Sequence, residues 1–157
     1  MSNTTKQEFF NILTNSVLGY VQSIRKVKKS DFITLTISAP LGAKQLEDGE
    51  KREYARYDLT VYSNKEFYGS IVELLEKHPE VNDFNNKKKP SIYFKASDIR
   101  PEVFTGKTKD GKDYCTPSIK GRLHDVSAIY LPESDAPFYK KPSAETSQEE
   151  PEVQNAA

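Results

Sequence analysis

Hydrophobic and polar residues alternate with a period of two in two clear stretches of the chain. Over 32–39, Ile33, Leu35, Ile37 and Ala39 alternate with Phe32, Thr34, Thr36 and Ser38. Over 52–63, Ala55, Tyr57, Leu59 and Val61 alternate with Arg52, Tyr54, Arg56, Asp58, Thr60 and Tyr62. Successive side chains of a strand point to opposite faces, so each stretch predicts a strand with one side in a core and the other in water. A β-prone run over 17–28 precedes them, with Gly19 inside it where a bulge or sharp coil is expected. Ile92, Phe94 and Ala96 against Tyr93 and Lys95 predict a fourth strand over 91–98. Ile119, Leu123 and Ile129 against Lys120, Arg122 and His124 predict a fifth over 114–131, bent near Pro117 or Gly121.

Between the third and fourth strands the period changes. Ser63-Asn64-Lys65-Glu66 has the form of a capping box, Phe67, Ile71, Leu74 and Leu75 follow at helical spacing, and Pro79 closes the helix after His78. Turn formers separate the other elements: Lys29-Ser30-Asp31, Gly42 and Asp48-Gly49 within an exposed loop over 40–51, and Asp110-Gly111 at the tip of a lysine-rich connection over 104–113. Three strands, one helix and two strands describe an all-β fold with a single helix, namely a five-stranded Greek-key barrel of the OB type with its helix between strands three and four. A six-stranded sandwich with a helical insert is the competing assignment. The domain plan is an N-terminal arm over 1–14, an OB domain over 15–131 and a disordered acidic tail over 132–157, rich in proline, serine, alanine and glutamate.

Composition adds an asymmetry. The 157 residues suit one core, and their formal charge is zero. Residues 132–157 nevertheless carry −4, which leaves +4 on residues 1–131. That balance is compatible with nucleic-acid binding. Cys115 is the sole cysteine, so no intrachain disulfide forms, and no apolar run reaches the length of a membrane span. A cytoplasmic protein is expected.

The sequence argues against catalysis. Gly106 to Asp113 nearly spells a phosphate-binding loop, but Asp113 stands where a hydroxyl should bind magnesium, and no helix follows. Two histidines and one cysteine make no metal site of familiar spacing, and Glu149-Glu150 falls in the tail. No nucleophile sits in a recognisable turn. No enzyme and no cofactor are expected.

What remains is the polar side of the sheet. Phe32, Thr34, Arg52, Tyr54 and Arg56 face outward on the second and third strands, which with the adjoining loops form the binding side of an OB barrel. Tyr93, Lys95, Lys120 and Arg122 are expected to flank them, with Lys87, Lys88, Lys89, Lys107, Lys109 and Lys112 in loops. Lysines and arginines release counterions from phosphates, and exposed rings stack unpaired bases at about 1–3 kcal/mol each. The candidate ligand is single-stranded DNA, with RNA left open. Each residue also has a plainer reading: Phe32 covers a barrel end, Asp58 neutralises Arg56, and the lysine run is a solvated loop. A protein-docking module using the same face is the alternative function, and the strand-rich edges leave homo-oligomerisation open.

Several segments resemble a known family. Leu18-Gly19-Tyr20-Val21, Ile24-Arg25-Lys26-Val27-Lys28, Leu35-Thr36-Ile37-Ser38-Ala39, Tyr54-Ala55-Arg56-Tyr57-Asp58 and Ser118-Ile119-Lys120-Gly121-Arg122-Leu123 are similar to the bacterial integrative-and-conjugative-element replication proteins. Members look like single-stranded-DNA-binding proteins with an acidic or proline-rich tail. The resemblance spans about residues 16–131 and implies a mobile-element or plasmid protein that acts in replication or transfer, with replication or conjugation proteins as partners. It carries no assigned binding residues. One departure is the C-terminus: single-strand-binding proteins of bacteria close an acidic segment with an apolar tip, whereas this chain ends Glu-Val-Gln-Asn-Ala-Ala.

Overall fold

Ile33, Leu35 and Ile37 of one strand and Leu59 and Val61 of the next are wholly buried, as their alternation requires. The computed structural model describes residues 16–41, 47–49 and 51–142. The expected N-terminal arm, and the part of the expected tail beyond residue 142, lie outside the described residues. The elements are β1 (Val17–Lys26), β2 (Phe32–Pro40), β3 (Tyr54–Tyr62), α1 (Tyr68–Lys77), β4 (Ser91–Lys107), β5 (Asp113–Tyr130) and β6 (Pro137–Lys140), with a 3₁₀ turn at Pro79–Asn82. Hydrogen bonding runs in the order β3-β2-β1-β4-β5-β6, and β3 also pairs with β5. That last ladder, parallel in sense, closes β1-β2-β3-β5-β4 into a barrel. Five closed strands with a helix between the third and fourth are the OB fold. The sandwich is thereby set aside.

The barrel interior is filled by Val21, Ile24, Ile33, Leu35, Ile37, Leu59, Val61, Ile92, Phe94, Ala96, Leu123, Val126 and Ile129, and α1 adds Ile71 and Leu74 with Phe67 before it. Two glycines allow the closure. A Cβ at Gly19 would collide with Ile37 and touch Phe94, so this glycine lets β1 approach the core, while the register shift of β1 falls later, between Val21 and Ser23. A Cβ at Gly121 would lie 2.7 Å from the Ser97 carbonyl oxygen and 3.1 Å from Ile99. Gly121 faces the bulge at which β4 shifts register between Ser97 and Arg100, where Asp98 takes φ 52°.

Beyond that bulge, β4 and β5 run on together as a two-stranded arm from Arg100↔Lys120 to Lys107↔Asp113. Half of the expected lysine-rich connection over 104–113 is therefore ladder, namely 104–107 and 113, and the turn is confined to 108–112 around Gly111 (φ 78°). Its exposed residues alternate without a buried apolar face, so the pattern that marks a strand was missing from the sequence.

Three further differences follow from local contacts. The helix starts at Tyr68, and its N-cap Phe67 makes no side-chain cap, so the capping box at Ser63 is not formed. The Ser63 amide instead donates to the Asp31 carbonyl at 3.0 Å, which extends the β2–β3 closure by one residue. Arg52 precedes β3 and does not belong to it. Residues 132–142, expected within the disordered tail, are ordered: β6 pairs with β5, and Phe138 and Tyr139 pack on the core. Two aromatic rings in an otherwise polar segment supply the burial that orders it.

Where β1 runs beyond β4, a side chain takes the place of a neighbouring strand at Ile24. Asn82 accepts from the Ile24 amide at 2.7 Å and donates to the Ile24 carbonyl at 2.9 Å, so its amide completes the edge as a strand residue would. A free strand edge invites pairing with another chain, and Asn82 occupies this one at Ile24.

Candidate nucleic-acid interface

The outward side of β2 and β3 carries a ladder of facing pairs: Phe32↔Tyr62, Thr34↔Thr60, Thr36↔Asp58, Ser38↔Arg56 and Pro40↔Tyr54. The parallel β3–β5 ladder sets Lys120 beside Asp58 and Arg122 beside Thr60, so two cations of the last strand join this face. Arg122 lies over the Tyr62 ring at 5.4 Å, and Tyr62 meets Phe32 with centroids 6.2 Å apart. At the centre the arm contributes Phe104, whose ring has the Arg56 guanidinium at 5.4 Å and the Lys120 ammonium at 5.1 Å. Cations held over rings make a mixed surface that can meet phosphate with charge and a base with a flat partner.

Each of these cations has its own carboxylate. Arg56 pairs with Asp58 at 3.1 Å, Lys120 with Glu102 at 2.8 Å and Arg122 with Asp98 at 3.1 Å. The three cationic side chains remain 45%, 32% and 57% exposed, so a phosphate can reach each of them, and the Lys120 and Arg122 pairs are surface pairs worth about 0–1 kcal/mol each. Asp58 is the most enclosed carboxylate of the three. Burial pushes its carboxyl up, but hydrogen bonds from Ser118, Arg56 and Thr36 and the Arg56 charge outweigh burial and hold it below the ordinary aspartate value. Thr36 donates to it at 2.9 Å, and Ser118 donates across from β5. Asp58 thus ties three strands together beneath the face.

The other predicted residues divide. Tyr54 is 54% exposed and lines a hollow with Tyr20, Ser38, Lys87, Lys88 and Lys89. Within the lysine run the three ammonium groups differ. Lys89 donates to the carbonyls of Val81 at 2.7 Å and Asp83 at 2.9 Å and is a structural brace. Lys88 pairs with Glu133 at 2.6 Å, and Lys87 has no ion pair among the described residues. Tyr93 stands on β4 against Tyr130, with centroids 6.3 Å apart, in a hollow shared with Tyr20. Lys95 is on β4 opposite Asp125, and β4 pairs with β1 and β5 only, away from β2 and β3. Lys107, Lys109 and Lys112 are exposed at the end of the arm, and Arg52 is half-buried before β3. The structure therefore gathers Phe32, Tyr54, Arg56, Lys120 and Arg122 on one side. It does not bring Lys95, or the ammonium of Lys89, into that group.

Four aromatic residues were not selected from the sequence: Tyr20, Tyr62, Phe84 and Phe104. Tyr62 was legible, since it shares the parity of Tyr54 and Arg56. Phe104 was hidden because the arm it belongs to carries no apolar alternation. Among the described residues no group of three or more histidine, cysteine, aspartate or glutamate side chains could hold a metal ion. No described helix is long and apolar enough to cross a membrane.

A family model described as a protein of unknown function (DUF3577) matches residues 3–147. No curated protein matches the chain significantly. Among solved structures, the mitochondrial single-stranded-DNA-binding protein Rim1 of S. cerevisiae is similar at 11% identity, with 78% of this chain and 97% of that chain covered and a TM-score of 0.33. A small single-stranded-DNA-binding protein of Mycoplasma pneumoniae is similar at 13% identity, with 80% and 96% covered and a TM-score of 0.31. At such scores the likeness adds nothing to what the strand order shows directly.

Proposed function

The chain belongs to this DUF3577 family, whose description assigns no activity, and from the geometry of its polar face we propose that it is a non-catalytic protein that binds single-stranded DNA. The observation that carries the reading is the central cluster, in which the Phe104 ring has the Arg56 guanidinium at 5.4 Å and the Lys120 ammonium at 5.1 Å, with the Phe32–Tyr62–Arg122 row on the same side of the sheet. Half-exposed rings need unpaired bases, which a duplex does not offer. Stacking tolerates any base, so little sequence preference is expected. The cations supply the sequence-independent attraction.

The resemblance of residues 16–131 to integrative-and-conjugative-element replication proteins supports placing this activity in the replication or conjugative transfer of a bacterial mobile element, in the cytoplasm. Its protein partners would then be replication or conjugation factors. A second reading, a protein-docking module, draws on the other side of the arm. Pro101, Val103 and Thr105, with Cys115 and Pro117 across from them, form an exposed and uncharged strip. That strip also suits contact with a second copy of the chain.

Fluorescence anisotropy with labelled oligo-dT is the test, with duplex DNA and oligo-rU as competitors. The expected result is saturable binding at low salt, weak competition by duplex, and log Kd rising linearly with log salt by about 0.7 per phosphate contact. Absence of binding at low salt overturns the reading. Better competition by oligo-rU than by unlabelled oligo-dT reassigns the ligand to RNA.

A further inference from the structure

The most exposed large hydrophobic residue described is Phe84, at 96%, well above Tyr54 and Val103 at 54%. It sits in a short turn between the 3₁₀ turn and β4, and that turn is tightly held. The Asp83 amide donates to the Glu80 carbonyl at 3.0 Å, and the Asn86 amide to the Asp83 carbonyl at 3.1 Å. The Asp83 carboxylate accepts from the Asn85 amide at 2.9 Å, and the Asn86 side chain accepts from the Lys88 amide at 3.1 Å. Lys89 clamps the carbonyls of Val81 and Asp83 from beneath, and Asn82 is fixed to both backbone groups of Ile24. A ring that gains no burial is thus mounted on a stiff support.

The surroundings of Phe84 say what such a ring meets. A groove of about 590 Å³ runs from it across β1 to Arg56, with Gln22, Ser23, Thr36 and Ser38 along its course. Arg25 and Lys87 also line it, and neither has an ion pair among the described residues. An aromatic anchor for a protein partner sits in an apolar cluster that excludes water. Phe84 instead has Asn82, Asn86, Lys87 and Lys89 for neighbours along the groove. A lone flat ring in a cationic, hydroxyl-lined channel fits a nucleobase and the phosphates on either side of it.

We infer that Phe84 is a stacking platform for an unpaired base, and that the strand leaves the β2–β3 face past Arg56 to cross β1 between Arg25 and Lys87. This rests on the single-strand-binding reading and adds to it a second contact region on the helix-to-β4 turn. It also assigns Lys87 to phosphate and leaves Lys89 as the support.

The chain has no tryptophan, so Phe84→Trp introduces a fluorophore at this position alone. Oligo-dT is expected to quench its emission saturably, with the same Kd as the anisotropy titration. Phe84→Ala is expected to weaken oligo-dT binding about five- to tenfold with an unchanged salt slope and an unchanged Tm, because a nearly fully exposed ring contributes no packing. Phe84→Tyr should restore the affinity. Unquenched tryptophan emission during oligo-dT binding, or wild-type affinity in Phe84→Ala, overturns the platform while the general binding function stands. Failure of the wild-type chain to bind oligo-dT at all overturns both.

Discussion

Converting Arg56, Lys120 and Arg122 to alanine together is expected to weaken oligo-dT binding by about a hundredfold or more at low salt. The three cations are the positive members of three pairs, with Asp58, Glu102 and Asp98 as partners. Their removal strips three phosphate contacts and leaves three carboxylates on the face. Each lost contact on a single strand lowers the salt slope by about 0.7, so the slope should fall by about two. The fold should survive with at most a modest loss, because the Lys120 and Arg122 pairs are surface pairs worth about 0–1 kcal/mol each and only Asp58 is enclosed. Asp58 keeps its bonds from Thr36 and Ser118 when Arg56 is gone. Anisotropy across a salt series, with a thermal melt beside it, checks both halves. Retained affinity and slope would show that the strand binds elsewhere.

Asp58→Asn is expected to move fold and binding in opposite directions. The carboxylate joins Thr36 on β2, Arg56 on β3 and Ser118 on β5, and bonds to a charged group contribute about 1.5–3 kcal/mol each. An asparagine keeps part of this set, so a loss of about 1–3 kcal/mol at pH 7 is expected in denaturant unfolding. The folded-state carboxyl lies below its unfolded value, so its contribution is complete above that value and disappears as pH falls through the folded one. The stability gap between wild type and Asp58→Asn should therefore be widest near neutrality and close on acidification below about pH 4. Oligo-dT should bind the variant several-fold more tightly, since Arg56 loses a competitor for phosphate. A gap that widened at low pH would contradict the account of Asp58, and weaker binding would contradict the role given to Arg56.

Much of the barrel could be read from the period-two stretches, because half-buried antiparallel strands write their burial directly into alternation. Ile33, Leu35, Ile37, Ala39, Leu59 and Val61 went inside, Tyr57 partly so, and Tyr54 and Arg56 outside. The arm was less legible: both of its sides are largely solvated, so 99–107 and 113–119 present no stripe to detect, and Phe104 was lost with it. The charge pairing was hidden for another reason. Glu102 reaches Lys120 and Asp98 reaches Arg122 only because the β4–β5 register brings them together, and no local rule gives that register. Asp58 with Arg56 was different, two residues apart on one strand face, and was visible as a pair. Lys89 looked like its neighbours in a basic run, yet its ammonium meets backbone carbonyls that only the folded turn supplies. Phe138 and Tyr139 were outweighed by the composition around them, although two rings suffice to hold a short edge strand on β5.

The account stands on a location: an unpaired strand lying on the outward side of β2, β3 and β5 under the arm. Amide chemical-shift mapping by NMR during titration with oligo-dT measures that location residue by residue. The predicted result is a contiguous set of perturbed amides over 34–38, 56–60, 102–106 and 118–122, with the amides of α1 unmoved. Perturbations confined to α1 and β6, with those four segments silent, would contradict it.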